Sequence, residues 1–284
     1  MNRSLFSDLY YKVFQSGNPL YLFIGINVLV FLLIKLVAVA EFLFAGGSTA
    51  SSEWLKLQLS MPAYLPALPY KFWSIITYMF NHDGLFHILF NMLWLYWLGR
   101  IFLDFLNKRQ FIFTYLAGGL AGAALFIIAY NIFPVFKPAL HIPLIGASAS
   151  VMAVIAATAT LLPDFTIHLL LIGPVRLKYL ALVYFLIDVI SIAGSNPGGS
   201  IAHIGGAILG FVYIRQLRAG NDWSKIFRKR RKLTIVQKGN PTIKPSKLPD
   251  QEIIDQILDK ISKSGYDSLS SKEKEQLFKA SNKE

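Results

Sequence analysis

Six long apolar stretches constrain this chain more than any other feature of its sequence. Each is close to the ~20 mainly apolar residues that a helix needs to cross a bilayer, and only 15% of the chain is charged, against about 25% in a typical soluble domain. The sequence therefore predicts an all-α membrane protein built as a six-transmembrane-helix bundle. The predicted spans are about Leu20–Leu43, Leu85–Leu106, Phe111–Phe133, Ile145–Leu162, Leu177–Ala193 and Ile201–Leu217.

Charge and composition divide the chain into four parts. Residues 1–19 have no short apolar core with a cleavage site, so they are expected to be a retained cytoplasmic leader. Residues 20–217 form the six-span core, whose aromatic-rich first loop (45–84) is expected to be external and interfacial. Residues 218–249 are a basic linker and residues 250–284 a small helical hairpin, since apolar residues recur there at helical spacing.

Basic residues also predict the orientation of the spans. They concentrate in the leader, the second and fourth loops and the tail, so the positive-inside rule places both termini in the cytoplasm. The basic run 228–232 follows the last span and favours contact with anionic lipid; we expect no nucleic-acid partner. The uncharged loop 194–200 is expected to be external and mobile.

Polar side chains cluster at the external ends of three spans. His87 and Asn91 share a face of the second span because they are four residues apart, Ser148 begins the fourth, and His203 lies one turn into the sixth. Buried polar groups in a membrane are functional candidates. A neutral His203 that accepts the Ser148 proton permits attack on a carbonyl, although either residue alone is also compatible with plain helix packing.

Small residues offer a way for these helices to approach one another. The fourth span carries Ala149, Ala153 and Ala157 at four-residue spacing, and the sixth carries Gly206 and Gly210. Such spacing lets helix backbones pack closely in membranes. A serine on one helix and a histidine on the other are therefore expected to meet.

These motifs resemble those of the rhomboid intramembrane serine proteases over about residues 15–217. The matching segments are Gly146-Ala147-Ser148, Ala202-His203-Ile204-Gly205-Gly206, His87 to Asn91, and the run from Trp73 to His82. The resemblance implies a Ser148–His203 dyad with Asn91 and His87 at the oxyanion site. It further implies a cofactor-free serine endopeptidase of the bacterial cytoplasmic membrane that cleaves single-span membrane proteins near the external boundary.

Further residues have possible supporting roles. Gly146 belongs to the nucleophile motif, Met152 stands where the family commonly has an aromatic residue under the histidine, and His82 is expected to anchor a loop. Asp188 either orients His203 or, protonated, holds the fifth and sixth spans together.

Departures from the family's motifs, and the absence of metal-binding motifs, bear on function. Ser74 follows Trp73 where the family has an arginine, so any anchoring by that arginine is lost. Ala149 replaces the usual glycine after the nucleophile, which favours the alternative of an impaired pseudoprotease that binds membrane helices. No metal site is expected, because the His-Glu-x-x-His pattern is missing and the chain has no cysteine.

Overall fold

A computed structural model describes residues 5–169, 173–227 and 251–281 of the 284-residue chain. The chain divides into two compact units, Met1–Lys229 and Arg230–Glu284, which are described separately. The predicted basic run 228–232 and most of the predicted linker lie outside the described residues.

The first unit is mainly helical, as predicted. Its α-helices are α1 (Leu5–Tyr10), α2 (Pro19–Phe44), α3 (Ala50–Leu59), α4 (Ser74–Thr77), α5 (Leu85–Phe105), α6 (Lys108–Ile132), α7 (Ser148–Leu161), α8 (Leu177–Ser191) and α9 (Pro197–Arg218). Its strands are β1 (Thr166–Leu169) and β2 (Gly173–Arg176). In the second unit, α10 (Gln251–Ser264) and α11 (Ser271–Ser281) follow each other, with Ile257 and Leu269 buried.

Helices occupy all six predicted span positions, but they differ in length. Within the described residues, α2, α5, α6 and α9 are long and apolar enough to cross a membrane. The apolar helix α7 has 14 residues and α8 has 15. Several membrane-spanning helices are therefore confirmed, and the count of six stays a prediction.

Two helices begin at residues other than the first residue of their predicted apolar stretch, because local backbone signals determine where each helix starts. The last helix begins at Pro197 rather than Ile201, since Asn196 accepts a hydrogen bond from the Gly199 N–H at 3.1 Å and proline suits the first helical position. Four of the seven residues of the predicted mobile loop (194–200) are thus helical. The fourth span begins at Ser148 rather than Ile145, because Gly146 has a φ of +112° that a helix does not permit.

The connection between α7 and α8 contains a hairpin that the sequence did not predict. Strands β1 and β2 pair antiparallel, with Thr166 opposite Arg176 and Leu169 opposite Gly173. Asp164 next to the hairpin accepts from Lys178 at 2.7 Å. Residues 170–172, between the two strands, lie outside the described residues.

Helix α7 packs between α6 and α9 with backbones close together. A Cβ at Gly122 of α6 would lie 2.6 Å from both the Ala149 Cβ of α7 and the Ala202 oxygen of α9. At Gly206 and Gly210 of α9, the backbone oxygens of Ala149 and Ala153 take the space that a side chain would need. This is the close approach that the small-residue spacing predicts, and it brings Ser148 and His203 to neighbouring helices.

Candidate active site

Ser148 is the first residue of α7, and the turn before it is fixed by a glycine. Gly146 has a φ of +112°, and a Cβ there would lie 2.7 Å from His87 Nε2. Its N–H donates to the Tyr78 oxygen at 3.0 Å. Only glycine fits this conformation and this space, so the turn that presents Ser148 depends on it.

His82 contacts the same turn. Its Nε2 accepts a long hydrogen bond of 3.5 Å from the Ala147 N–H, and its side chain is 1% exposed. Burial, with the neighbouring His87 ring, lowers the pKa of His82 to about 3. The ring is therefore neutral at physiological pH and able to accept this hydrogen bond; its anchoring role stays a prediction.

His203 of α9 is held by a carboxyl group of α8. Its Nδ1 lies 2.8 Å from Asp188 Oδ1. Asp188 is 7% exposed, and its Oδ2 is buried without a hydrogen-bond partner in the described part of the chain. The other ring nitrogen of His203, Nε2, is not involved in this contact.

Ser148, His203, His87 and Asn91 all line one cavity of about 600 Å³. The cavity also contains aromatic side chains of α5 and α6 and the first turn of α9; these further lining residues include Phe86, Phe90, Phe126, Tyr130, Asn196, Gly198 and Gly199. Four separate sequence positions on three helices thus share one space. Within the described residues the Ser148 hydroxyl makes no hydrogen bond, so the structure does not contain a formed Ser–His contact.

The two candidate oxyanion groups, Asn91 and His87, have different neighbours. The Asn91 amide nitrogen donates to the His87 backbone oxygen at 2.8 Å, which leaves its second N–H for another acceptor. The His87 ring lies next to Gly146 and stacks edge-on against His82, with centroids 4.9 Å apart. Met152 is buried in the core one turn after Ser148.

An ion pair lies beside the cavity. Asp83 lines the cavity and accepts a hydrogen bond from Lys56 Nζ at 2.6 Å. This hydrogen bond holds the pKa of Asp83 below its ordinary value. Sequence reasoning missed this pair and the Tyr78 carbonyl, because neither has a local motif. Asn196-Pro197, also missed, carried a readable helix-start signal. No three His, Asp or Glu side chains cluster as a metal site would require, among the residues that the structure describes.

Comparison with protein families gives two matches. The family model described as the Rhomboid domain matches residues 69–219, about half of the chain. A family of unknown function (DUF6576) matches residues 244–283, the region of α10 and α11. Residues 220–243 lie between the two matches.

Curated relatives carry related names. Presenilin-associated rhomboid-like protein A, mitochondrial, of Danio rerio is 29% identical over 174 residues, which is 59% of this chain and 42% of that protein. RHOMBOID-like protein 12, mitochondrial, of Arabidopsis thaliana is 28% identical over 52% of this chain and 47% of its own. Rhomboid protease GluP of Bacillus subtilis is 28% identical over 51% of this chain and 25% of its own. The matches thus span less than half the length of each relative.

Proposed function

Because this chain belongs to the rhomboid family, we propose that it is an intramembrane serine endopeptidase with Ser148 as nucleophile and His203 as general base. Its substrates in this proposal are single-span membrane proteins, cut near the external membrane boundary. One of the relatives is named a rhomboid protease. The observation that carries the proposal is the shared cavity, in which a hydroxyl at a helix start and an imidazole from another helix lie together.

The proposed reaction has two halves. His203 takes the Ser148 proton as Oγ attacks the substrate carbonyl, and then gives this proton to the leaving amine. Water next attacks the acyl-enzyme, with His203 again as base, and releases Ser148. Each half forms a tetrahedral oxyanion.

Three groups are available to stabilise this oxyanion. The Ser148 N–H is one of the first in α7 and has no acceptor within its helix. The free N–H of the Asn91 amide and the His87 ring line the same cavity. Preorganised donors of this kind are often the largest contribution to such catalysis.

The substrate must unwind locally before it is cut. A carbonyl within a helix already accepts a hydrogen bond from the N–H four residues further on, so that bond must break before Ser148 can attack the carbonyl. Substrates with helix-weakening glycine or proline near the cleavage site are therefore expected to be favoured.

A second candidate function is a pseudoprotease that binds membrane helices without cutting them. Ala149 in place of the family's glycine and the unbonded Ser148 hydroxyl favour it. Catalytic hydrogen bonds are often long or absent without substrate, however, and all four reacting groups line the cavity. The endopeptidase is therefore the better supported of the two.

The proposed location is the bacterial cytoplasmic membrane, with both termini in the cytoplasm. The support is the charge distribution, since basic residues flank one set of helix ends. The chain has no cysteine, so single cysteines can be introduced at the exposed residues Ala45 and Ala219 without background. A membrane-impermeant maleimide added to intact cells is expected to label Ala45→Cys only, and the reverse pattern would contradict the orientation.

Labelling by a fluorophosphonate tests the reacting serine without knowledge of the substrate. We expect wild type to be labelled and Ser148→Ala and His203→Ala to lose labelling. Ser150→Ala is the matched control, because it removes a buried hydroxyl two residues further along α7. Cleavage of a single-span substrate in liposomes should follow the same order. If wild type is neither labelled nor active, or if Ser148→Ala equals wild type, the endopeptidase proposal fails.

A further inference from the structure

Asp188 is the one carboxyl group that contacts the proposed base, among the residues that the structure describes. It lies on α8, fifteen positions before His203, and joins Nδ1 of that ring at 2.8 Å. The Asp188 side chain is 10% exposed and the His203 side chain 25%. The sequence left two roles open for this carboxyl, orientation of the histidine or a strut between two spans.

We propose that Asp188 is a positioning residue that holds His203 in the reactive tautomer and stabilises its charged form. The proposal rests on the proposed function. In this arrangement Nδ1–H donates to the Asp188 carboxylate and Nε2 is left without a proton. Since the two ring nitrogens lie on opposite sides of the imidazole, Nε2 is then the atom available to accept the Ser148 proton.

The partners of Asp188 favour this role over that of a strut. Within the described residues its Oδ1 is hydrogen-bonded to His203, and its buried Oδ2 has no hydrogen-bond partner. A carboxyl group whose purpose is to tie helices together is expected to use both oxygens, because an unsatisfied buried oxygen is costly. Here the carboxyl has one partner, and that partner is the catalytic ring.

The same geometry has a consequence during the reaction. When His203 accepts the serine proton it becomes an imidazolium, a cation inside a low-dielectric bundle. The negative charge of Asp188 at 2.8 Å favours that cation. In this proposal the proton travels only between Ser148, His203 and the leaving amine.

Asp188→Asn tests the proposal at nearly constant volume. The new amide can donate to Nδ1, which places the proton on Nε2 and abolishes the base. The rate of fluorophosphonate labelling, and kcat for a single-span substrate, are expected to fall about 10²-fold or more with little change in KM. Ile190→Ala is the control, because it changes a residue two positions further along α8 whose side chain is exposed.

The outcomes separate the two proposals. If wild type is labelled and Asp188→Asn is labelled at the wild-type rate, the positioning role is overturned while the endopeptidase stands. If wild type is not labelled, the proposed function itself fails. A variant that loses thermal stability but keeps the wild-type labelling rate at low temperature identifies a strut and also overturns the positioning role.

A measurement on the unaltered chain covers the case in which Asp188→Asn does not fold. Nitrogen-15 NMR of histidine-labelled protein, with the His203 signals assigned from the spectrum of His203→Ala, reports which nitrogen carries the proton. We expect protonated Nδ1 and unprotonated Nε2 at neutral pH. The opposite tautomer would overturn the proposal.

Discussion

Gly122→Ala is expected to disrupt the site without changing any reacting group. Gly122 of α6 sits between Ala149, which follows Ser148, and Ala202, which precedes His203. A Cβ would lie 2.6 Å from an atom of each, whereas ordinary contact begins at 3.4 Å, so each side must give by about 0.8 Å. A movement away from one helix worsens the contact with the other, and relief therefore requires α7 and α9 to separate.

The cost of this overpacking can be estimated. Extra methyl groups in a well-packed core typically cost about 1–3 kcal/mol, and contacts with backbone and Cβ atoms belong at the upper end. For a unit of this size the unfolding midpoint should fall by roughly 5 °C or more. Because a misplacement of about 1 Å between reacting groups can cost ~10²-fold, labelling of Ser148 should slow by a similar factor.

Thermal unfolding in detergent and fluorophosphonate labelling measure the two effects. Gly84→Ala is the matched control, because nothing lies within 4 Å of a Cβ there and its φ of −137° suits any residue. A Gly122→Ala protein with the midpoint and labelling rate of Gly84→Ala would refute the claim that close backbone packing positions the two residues.

Three other changes test separate parts of the structure. Asn91→Ala should lower kcat by about 10²–10³-fold, the usual effect of losing an oxyanion donor; an unchanged kcat would remove Asn91 from the site. His82 is neutral when folded and binds a proton when unfolded, so the free energy of unfolding should decrease as pH falls from 6.5 towards 3. The unfolding midpoint of wild type should therefore fall more steeply with decreasing pH than that of His82→Gln, and equal pH dependence would contradict this. Asp222→Asn should cost about 1–3 kcal/mol in chemical unfolding, because Asp222 accepts from Arg109 at 2.9 Å and from Tyr213 at 3.1 Å; a stability equal to wild type would show that this cluster is not a stabilising contact.

Span positions and small-residue contacts were predictable because they depend on local composition and spacing. The apolar runs placed helices at all six positions, and Gly206 and Gly210 predicted where α9 meets α7. These signals depend on which side chains occur and how often they repeat. They do not require knowledge of distant residues.

Other features depend on contacts that have no local signature. In the first loop, for example, Met61 pairs with Leu144, which lies far along the chain. The bond between Asp188 and His203 was one of two alternatives, since sequence gives depth in the membrane but not the direction of a side chain. The roles of Ser148 and His203 stay a proposal for the same reason, because a shared cavity is not a formed bond.

The length of α7 bears on where a substrate would be cut. Its 14 residues span about 21 Å, against ~30 Å for the hydrocarbon layer. A helix that starts at one surface therefore ends about 9 Å short of the other, and Ser148 marks that end. If the chain is the endopeptidase proposed above, bilayer thickness helps to set the cleavage position. A thicker membrane moves a different residue of the substrate level with the serine, by about one residue for every 1.5 Å.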